Sequence, residues 1–237
     1  MSSPDAVPGE RGRRVHLDGA VAIVTGASAG IGTATARALH ERGARVVVAA
    51  RRLERLEPLA RELDGLAVRC DVGSWDEVRG LVDRAVEWGG RLDVMVNNAG
   101  FGTRGALHEH DPGRVAEMVR TNVIGVLNGV RAAGAVMARQ GSGGIVNVSS
   151  IVGHFPEVGS GAYAATKAAV DSISATAYRE LRDHGVHVVN VKPALTDTEF
   201  REVASGVAGP VGGDPPEKVA RWICEALESG SANAGYR

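Results

Sequence analysis

The chain has 237 residues, with 27 Lys and Arg against 28 Asp and Glu and a formal net charge of −1. That balance offers no general attraction to nucleic acid, and no Lys/Arg block is present that would follow a phosphate backbone. An apolar share of 44% allows a buried core. Nowhere do ~18 apolar residues run together as a membrane span requires, and the two cysteines, Cys70 and Cys224, have neither metal nor redox spacing, so a cytoplasmic protein without a metal is expected.

Residues 1–16 carry charge but no apolar targeting core and are expected to form a flexible N-terminal segment ahead of one domain at 17–237. The first strand is read at VAIVTG (21–26) and runs into the glycine-rich turn TGASAGIG (25–32), with a helix over 32–43. A second strand, ARVVVAA (44–50), is followed by Arg51 and Arg52 and a helix over 55–65. Then come a strand LAVRCDV (66–72), a helix over 75–89, a strand LDVMVNNAG (92–100), and one long helical stretch over 111–141. A strand GIVNVSS (144–150), a helix over 162–185 and a strand VHVVNVKPA (186–194) complete the alternation. Residues 196–216, dense in Gly and Pro, read as a loop covering a substrate site. A helix over 216–230 follows, and SANAGYR ends the chain with no final strand expected. Strands that are apolar on both faces and alternate with helices predict an α/β fold: a single doubly wound parallel sheet, Rossmann-like, with helices on both sides.

The first turn has the chemistry of a phosphate cradle. Gly26, Gly30 and Gly32 let backbone approach a pyrophosphate, Ser28 and Ile31 lie between them, and the helix that follows offers free N–H groups and a positive dipole end. Dinucleotide folds often place an acid at the end of the second strand to bind a ribose 2′-OH. Here Ala50 stands there and Arg51 and Arg52 follow. A carboxylate would repel a 2′-phosphate, whereas guanidinium groups bind one, so NADP(H) is expected over NAD(H). The plain alternative is two solvated arginines opening a helix.

The set TGASAGIG, Asp71-Val72, NNAG (97–100), Asn122, Ser150 and Tyr163-x-x-x-Lys167, in this order over about residues 17–200, resembles the short-chain dehydrogenase/reductase family. Chemistry read from the residues agrees with it. Carbonyl reduction needs a proton for the oxygen in an ordered site. Tyr163 and Lys167 are neighbours on a helix face. The ammonium is expected to lower the phenol's pKa, making Tyr163 the general acid/base. Ser150 at a strand end would hydrogen-bond the carbonyl oxygen.

The resemblance further implies that Asn122 helps hold a water linking the lysine to solvent, that Asp71 and Val72 meet the adenine end, and that Asn98, Ala99 and Gly100 meet the middle of the cofactor. It implies that Lys167 also meets the nicotinamide ribose, and it makes Tyr163 part of that surface. The family's Pro-Gly turn is Pro193-Ala194 here, with Thr196 and Thr198 both open as the following cofactor contact. The implied function is reversible NADPH-dependent reduction of a small ketone or aldehyde to an alcohol, by a homodimer or homotetramer. His154, Phe155, Phe101 and Phe200 are candidate pocket residues. Two other readings keep the fold: a nucleotide-sensing regulatory protein without turnover, and a sugar-nucleotide epimerase or dehydratase.

Overall fold

The computed structural model describes residues 13–196 and 212–235. Val- and Ala-rich runs form strands because branched side chains pack well on a pleated surface, and here both faces are covered. The strands are β1 (Val21–Thr25), β2 (Arg45–Ala50), β3 (Leu66–Arg69), β4 (Val94–Asn97), β5 (Gly143–Val148), β6 (Val186–Lys192) and β7 (Asn233–Gly235). Among the described residues they make one parallel sheet in the order β3-β2-β1-β4-β5-β6-β7.

The helices are α1 (Gly30–His40), α2 (Leu53–Glu62), α3 (Trp75–Gly89), α4 (Pro112–Val119), α5 (Gly125–Gln140), α6 (Gly161–Leu181) and α7 (Pro216–Ser229). Alternate residues of one strand feed different cores. Val46 and Val48 pack with Leu39, Leu56, Ile223 and Leu227 from α1, α2 and α7. Val47 and Ala49 pack on the other side with Leu81, Ala133 and Met137 from α3 and α5. Each fully buried Val, Leu or Ile contributes about 1.5–3 kcal/mol, so both layers are held by the same strands.

Caps explain several boundaries. Ser74 Oγ accepts the Glu77 N–H at 3.4 Å at the start of α3, and Gly90 ends it in the left-handed region at φ 82°. Asp111 Oδ1 accepts the Arg114 N–H at 2.6 Å ahead of Pro112, opening α4. Between α4 and α5 the chain stays helical but widens into a π turn over Arg120–Ile124, a local feature often found at functional sites.

The strand order reverses direction between β1 and β4, so a crevice opens outside their carboxyl ends. The expectation of no final strand is corrected. Asn233–Gly235 adds β7 beside β6, with Asn190 opposite Asn233 and Lys192 opposite Gly235. Three residues with no apolar run give no strand pattern in sequence; β6 supplies the ladder, and the Asn190 N–H donates to Ala232 O at 2.9 Å. No described helix is long and apolar enough to cross a membrane.

Candidate active site

The glycine turn at the end of β1 is shaped by close approach. Gly26 has φ +65°, and a Cβ there would lie 2.8 Å from Ala99 Cα and 2.9 Å from Asn98 Nδ2. A Cβ on Gly32 would meet the Gly26 carbonyl and sit 2.7 Å from Asn98 Nδ2, and Gly30 has φ +56°. The NNAG segment after β4 pins this turn. Asn98 Nδ2 donates to Thr25 O at 2.9 Å and Gly26 O at 3.3 Å, while Thr25 Oγ1 accepts the Asn98 and Ala99 N–H groups at 3.0 and 3.2 Å. Thr25 carries no motif signal except its place before Gly26.

Ala29 stands at the N-cap of α1 and makes no side-chain cap bond, and the first turn has no acid. Its N–H groups and dipole therefore face the crevice without a competing side chain on the helix itself, as a bound phosphate requires. The glycine cradle, which side chains would fill, fits a pyrophosphate. Gly100 is exposed and Ile31 half-buried against the core on the α7 side.

Arg51 and Arg52 lie exposed past the end of β2, after Ala50. Arg52 Nη2 donates to Ser28 Oγ at 3.4 Å, linking the arginine pair to the glycine turn. Arg51 Nη1 reaches Glu117 Oε1 at 3.4 Å, and Arg114 Nη1 holds Glu117 Oε2 at 2.8 Å. Asp71 Oδ1 accepts the Gly73 N–H at 2.9 Å and Oδ2 accepts from Arg120 Nη2 at 3.2 Å. Val72 is buried, and its carbonyl accepts from Asn128 Nδ2 at 2.9 Å. Glu117 and Arg120, from the α4 end, are additions that no sequence motif announced.

The other end of the crevice is built by β5 and α6. A 3₁₀ turn, Ile151–Gly153, follows Ser150, and a Cβ on Gly153 would lie 2.9 Å from Ala168 N. That contact seats the end of β5 against α6. Ser150 Oγ is 3.5 Å from Pro193 O, accepts the Val152 N–H at 3.4 Å, and is hydrogen-bonded with the Tyr163 hydroxyl. Pro193 O also accepts the Ile151 N–H at 3.0 Å. Lys167 is buried; its Nζ donates to Val148 O at 2.8 Å and lies 5.6 Å from the Tyr163 ring centre.

The electrostatics differ from the expected lowering of the tyrosine. Desolvation by the surrounding protein pushes the half-buried Tyr163 phenol upward, opposed by the Ser150 hydrogen bond. Burial pulls Lys167 down from 10.5 to about 8, opposed by the charge of Asp171. Burial thus favours the neutral, proton-bearing form of Tyr163 over the phenolate.

Asn122 sits buried in the π turn with its amide committed. Its Oδ1 accepts the Phe101 N–H at 3.0 Å, and its Nδ2 donates to Phe101 O at 2.8 Å and Thr166 Oγ1 at 3.0 Å. Thr166 Oγ1 in turn donates to Tyr163 O at 2.7 Å, so Asn122 ties the π turn to α6. One lone pair of Oδ1 remains for a water. Phe101, a candidate pocket residue, is buried, with the Arg114 guanidinium 4.1 Å from its ring centre.

Thr196 Oγ1 donates to Ala194 O at 3.1 Å, and Thr196 bridges to Asp214. Thr198 and Phe200 lie outside the described residues. His154 and Phe155 are exposed, their rings edge to face at 5.4 Å. The structure thus brings Ser150, Tyr163, Lys167 and Asn122 to one end of the crevice. Gly26, Gly32, Asn98 and Ala99 stand at its middle, and Ser28, Arg51, Arg52 and Asp71 at the other end. Among the described residues no group of three His, Cys, Asp or Glu side chains is placed to hold a metal.

A family model described as short chain dehydrogenase matches residues 20–206. An uncharacterised oxidoreductase of Staphylococcus aureus is 38% identical over 181 residues, 75% of this chain and 78% of that protein. A crystal structure of a short chain dehydrogenase/reductase from Burkholderia phymatum in complex with NAD is similar at TM-score 0.85 and 28% identity, covering 93% of this chain and 89% of that one. An alcohol dehydrogenase from the archaeon Thermococcus sibiricus, complexed with 5-hydroxy-NADP, is similar at TM-score 0.82 and 29% identity, covering 92% and 96%.

Proposed function

The chain belongs to the short-chain dehydrogenase/reductase family, and on that premise we propose that it is an NADPH-dependent reductase of small ketones or aldehydes, reversible as an alcohol dehydrogenase. The observation that carries this reading is the contact of Ser150 with the Tyr163 hydroxyl, with Lys167 one helical turn away. The likeness to an alcohol dehydrogenase holding an NADP analogue supports it.

When bound, the dihydronicotinamide supplies hydride to the carbonyl carbon. The residues that would hold the dinucleotide are the Gly26–Gly32 turn and the α1 N-terminus for the pyrophosphate, and Asn98 to Gly100 for its middle. Asp71 and Val72 would take the adenine end, Tyr163, Lys167, Pro193 and Thr196 or Thr198 the nicotinamide end. Arg51 and Arg52, with Ala50 in place of an acid, favour a 2′-phosphate and therefore NADP(H).

Tyr163 keeps its proton at neutral pH because burial disfavours the phenolate, so it is poised to donate to a carbonyl oxygen that gains charge. Ser150 donates a second hydrogen bond to the same oxygen, stabilising that charge as it develops. The Lys167 ammonium favours the phenolate left behind, by charge through the low-dielectric interior. Asn122 fixes α6 against the π turn and so sets the position of the Tyr163 backbone. A row of exposed apolar residues on the α4–α5 face, Val119, Ile124 and Leu127, supports a homo-oligomer.

The test is turnover of NADPH and NADH against a panel of ketones and aldehydes, followed by the absorbance of the reduced nicotinamide. The expected result is consumption of NADPH in preference to NADH with at least one carbonyl class. Tight NADPH binding without turnover across a broad panel would favour a sensor instead.

A further inference from the structure

A buried ammonium is costly unless a counter-charge stands near it, because both desolvation and the loss of hydrogen-bond partners disfavour the charged form. Lys167 is such a group, with 5% of its surface exposed and its Nζ bonded to the neutral carbonyl of Val148. The chain is sparing with this residue type. It contains only three lysines, Lys167, Lys192 and Lys218, its other cationic side chains being arginines and histidines. Lysine, unlike arginine, changes its charge readily when buried, so two lysines around one carboxylate are worth explaining.

Asp171 follows Lys167 by one turn on α6, the spacing at which helix side chains are neighbours. Its carboxylate is half-buried, and the β6 strand holds it. Asn190 Nδ2 donates to Asp171 Oδ1 at 2.9 Å, and Lys192 Nζ lies 3.6 Å from Oδ2. That Oδ2 accepts no hydrogen bond among the described residues. The carboxylate is therefore fixed by an amide and left open to act by charge, between a lysine of the active site and a lysine of the sheet.

We propose that Asp171 is a positioning residue for catalysis: it is the counter-charge that keeps buried Lys167 protonated, with Asn190 anchoring it and Lys192 competing for it. The proposal rests on the reading that Lys167 assists Tyr163. The charged and titratable groups facing Lys167 are Tyr163 and Asp171 on its own helix, and Lys192 from β6 through Asp171. The β5 end and the π turn present Ser149, Ser150 and Asn122, which carry no charge. The Asp171 charge raises Lys167 against the downward pull of burial.

The sign follows. Without the carboxylate, Lys167 loses its proton at lower pH, the phenolate left on Tyr163 loses its stabiliser, and the rate falls earlier as pH rises. The scarcity of lysines makes a direct measurement clean. Protein labelled with ¹³C at the lysine ε-carbon gives three side-chain resonances, assigned with Lys192→Arg and Lys218→Arg.

In Asp171→Asn the Lys167 resonance is expected to titrate about one pH unit lower than in the wild type. The alkaline fall of kcat should move by the same amount, while the Kd for NADPH at acidic pH changes less than about threefold. Asp171→Glu should recover most of the shift. Lys192→Met, which removes the competing cation, should move Lys167 the opposite way, to higher pH, and it serves where Asp171→Asn does not fold. An unmoved Lys167 titration in folded Asp171→Asn, or an unmoved or lowered one in Lys192→Met, overturns the proposal. The resonance is read without turnover, so an enzyme whose Tyr163→Phe variant still reacts would refute the catalytic reading and leave this measurement to decide the role of Asp171 separately.

Discussion

The two ends of the crevice are made from different materials. The glycine turn is backbone shape: Gly26, Gly30 and Gly32 matter for the side chains they lack, and Asn98 and Thr25 lock the turn with short hydrogen bonds. Its charged partners, Arg51 and Arg52, lie at the rim, where solvent screens their contacts. The Ser150–Tyr163–Lys167 end is side-chain chemistry in a desolvated setting, where removing one polar atom changes the energy of every charge nearby. Binding at the first end should therefore degrade gradually with charge and abruptly with shape. Chemistry at the second should fail with single atoms.

Four substitutions sharpen or break that contrast. The largest effect is expected for Lys167→Met, which should lower kcat by about 10²–10⁴ yet not lower thermal stability. Burial brings Lys167 from 10.5 to about 8, so the folded state binds this proton less tightly than the unfolded state. Its destabilising effect, about 3 kcal/mol at most, is fully present below about pH 8 and is relieved as pH rises toward 10.5. A Tm by calorimetry at neutral pH equal to or above the wild type is expected, and a drop of more than ~4 °C would contradict the charge account.

Ser150→Ala comes next, with kcat lowered about 10²-fold and NADPH affinity nearly unchanged, as separated by steady-state kinetics and fluorescence titration. A loss confined to affinity would move Ser150 from the reacting end to the binding end. Gly32→Ala should do the reverse. Its Cβ would meet the Gly26 carbonyl and Asn98 Nδ2, so Kd for NADPH should rise about tenfold or more and the Tm should fall by several degrees. Normal affinity in that variant would show that the turn is not the pyrophosphate cradle.

Arg51→Ala should be the mildest, weakening NADPH by about tenfold while leaving NADH unchanged. Glu117 competes for Arg51 at 3.4 Å in the free protein, which keeps this effect small. Equal losses for both cofactors would remove Arg51 from 2′-phosphate recognition.

Much of the fold was legible because a parallel sheet buries both strand faces, so Val21 to Val24 in β1 and Val46 to Ala50 in β2 are unbroken apolar runs. The helix at 75–89 was read with both ends correct because Ser74 caps it and Gly90 stops it. The strand at 233–235 was not legible, since its order comes from β6 rather than from its own side chains.

At the candidate site, the spacing of Tyr163 and Lys167 and the glycine turn were visible because helix and turn geometry are local. Thr25, Glu117 and Arg120 were not, because each meets its partner across a long stretch of chain, and Asp171 was not, because the groups that anchor its carboxylate, Asn190 and Lys192, come from β6. The direction of the Tyr163 shift was also hidden. Spacing shows the ammonium one helical turn from the phenol but not the desolvation that raises the phenol against the Ser150 hydrogen bond.

The central claim is that Tyr163 delivers the proton in a nicotinamide-dependent reduction, and single-turnover kinetics test it most directly. Protein preloaded with NADPH and mixed with a carbonyl that the wild type accepts should consume the reduced cofactor in one phase. Tyr163→Phe, with NADPH affinity within about threefold of the wild type, should slow that phase by about 10²–10⁴. A Tyr163→Phe phase within about tenfold of the wild-type rate would contradict the account.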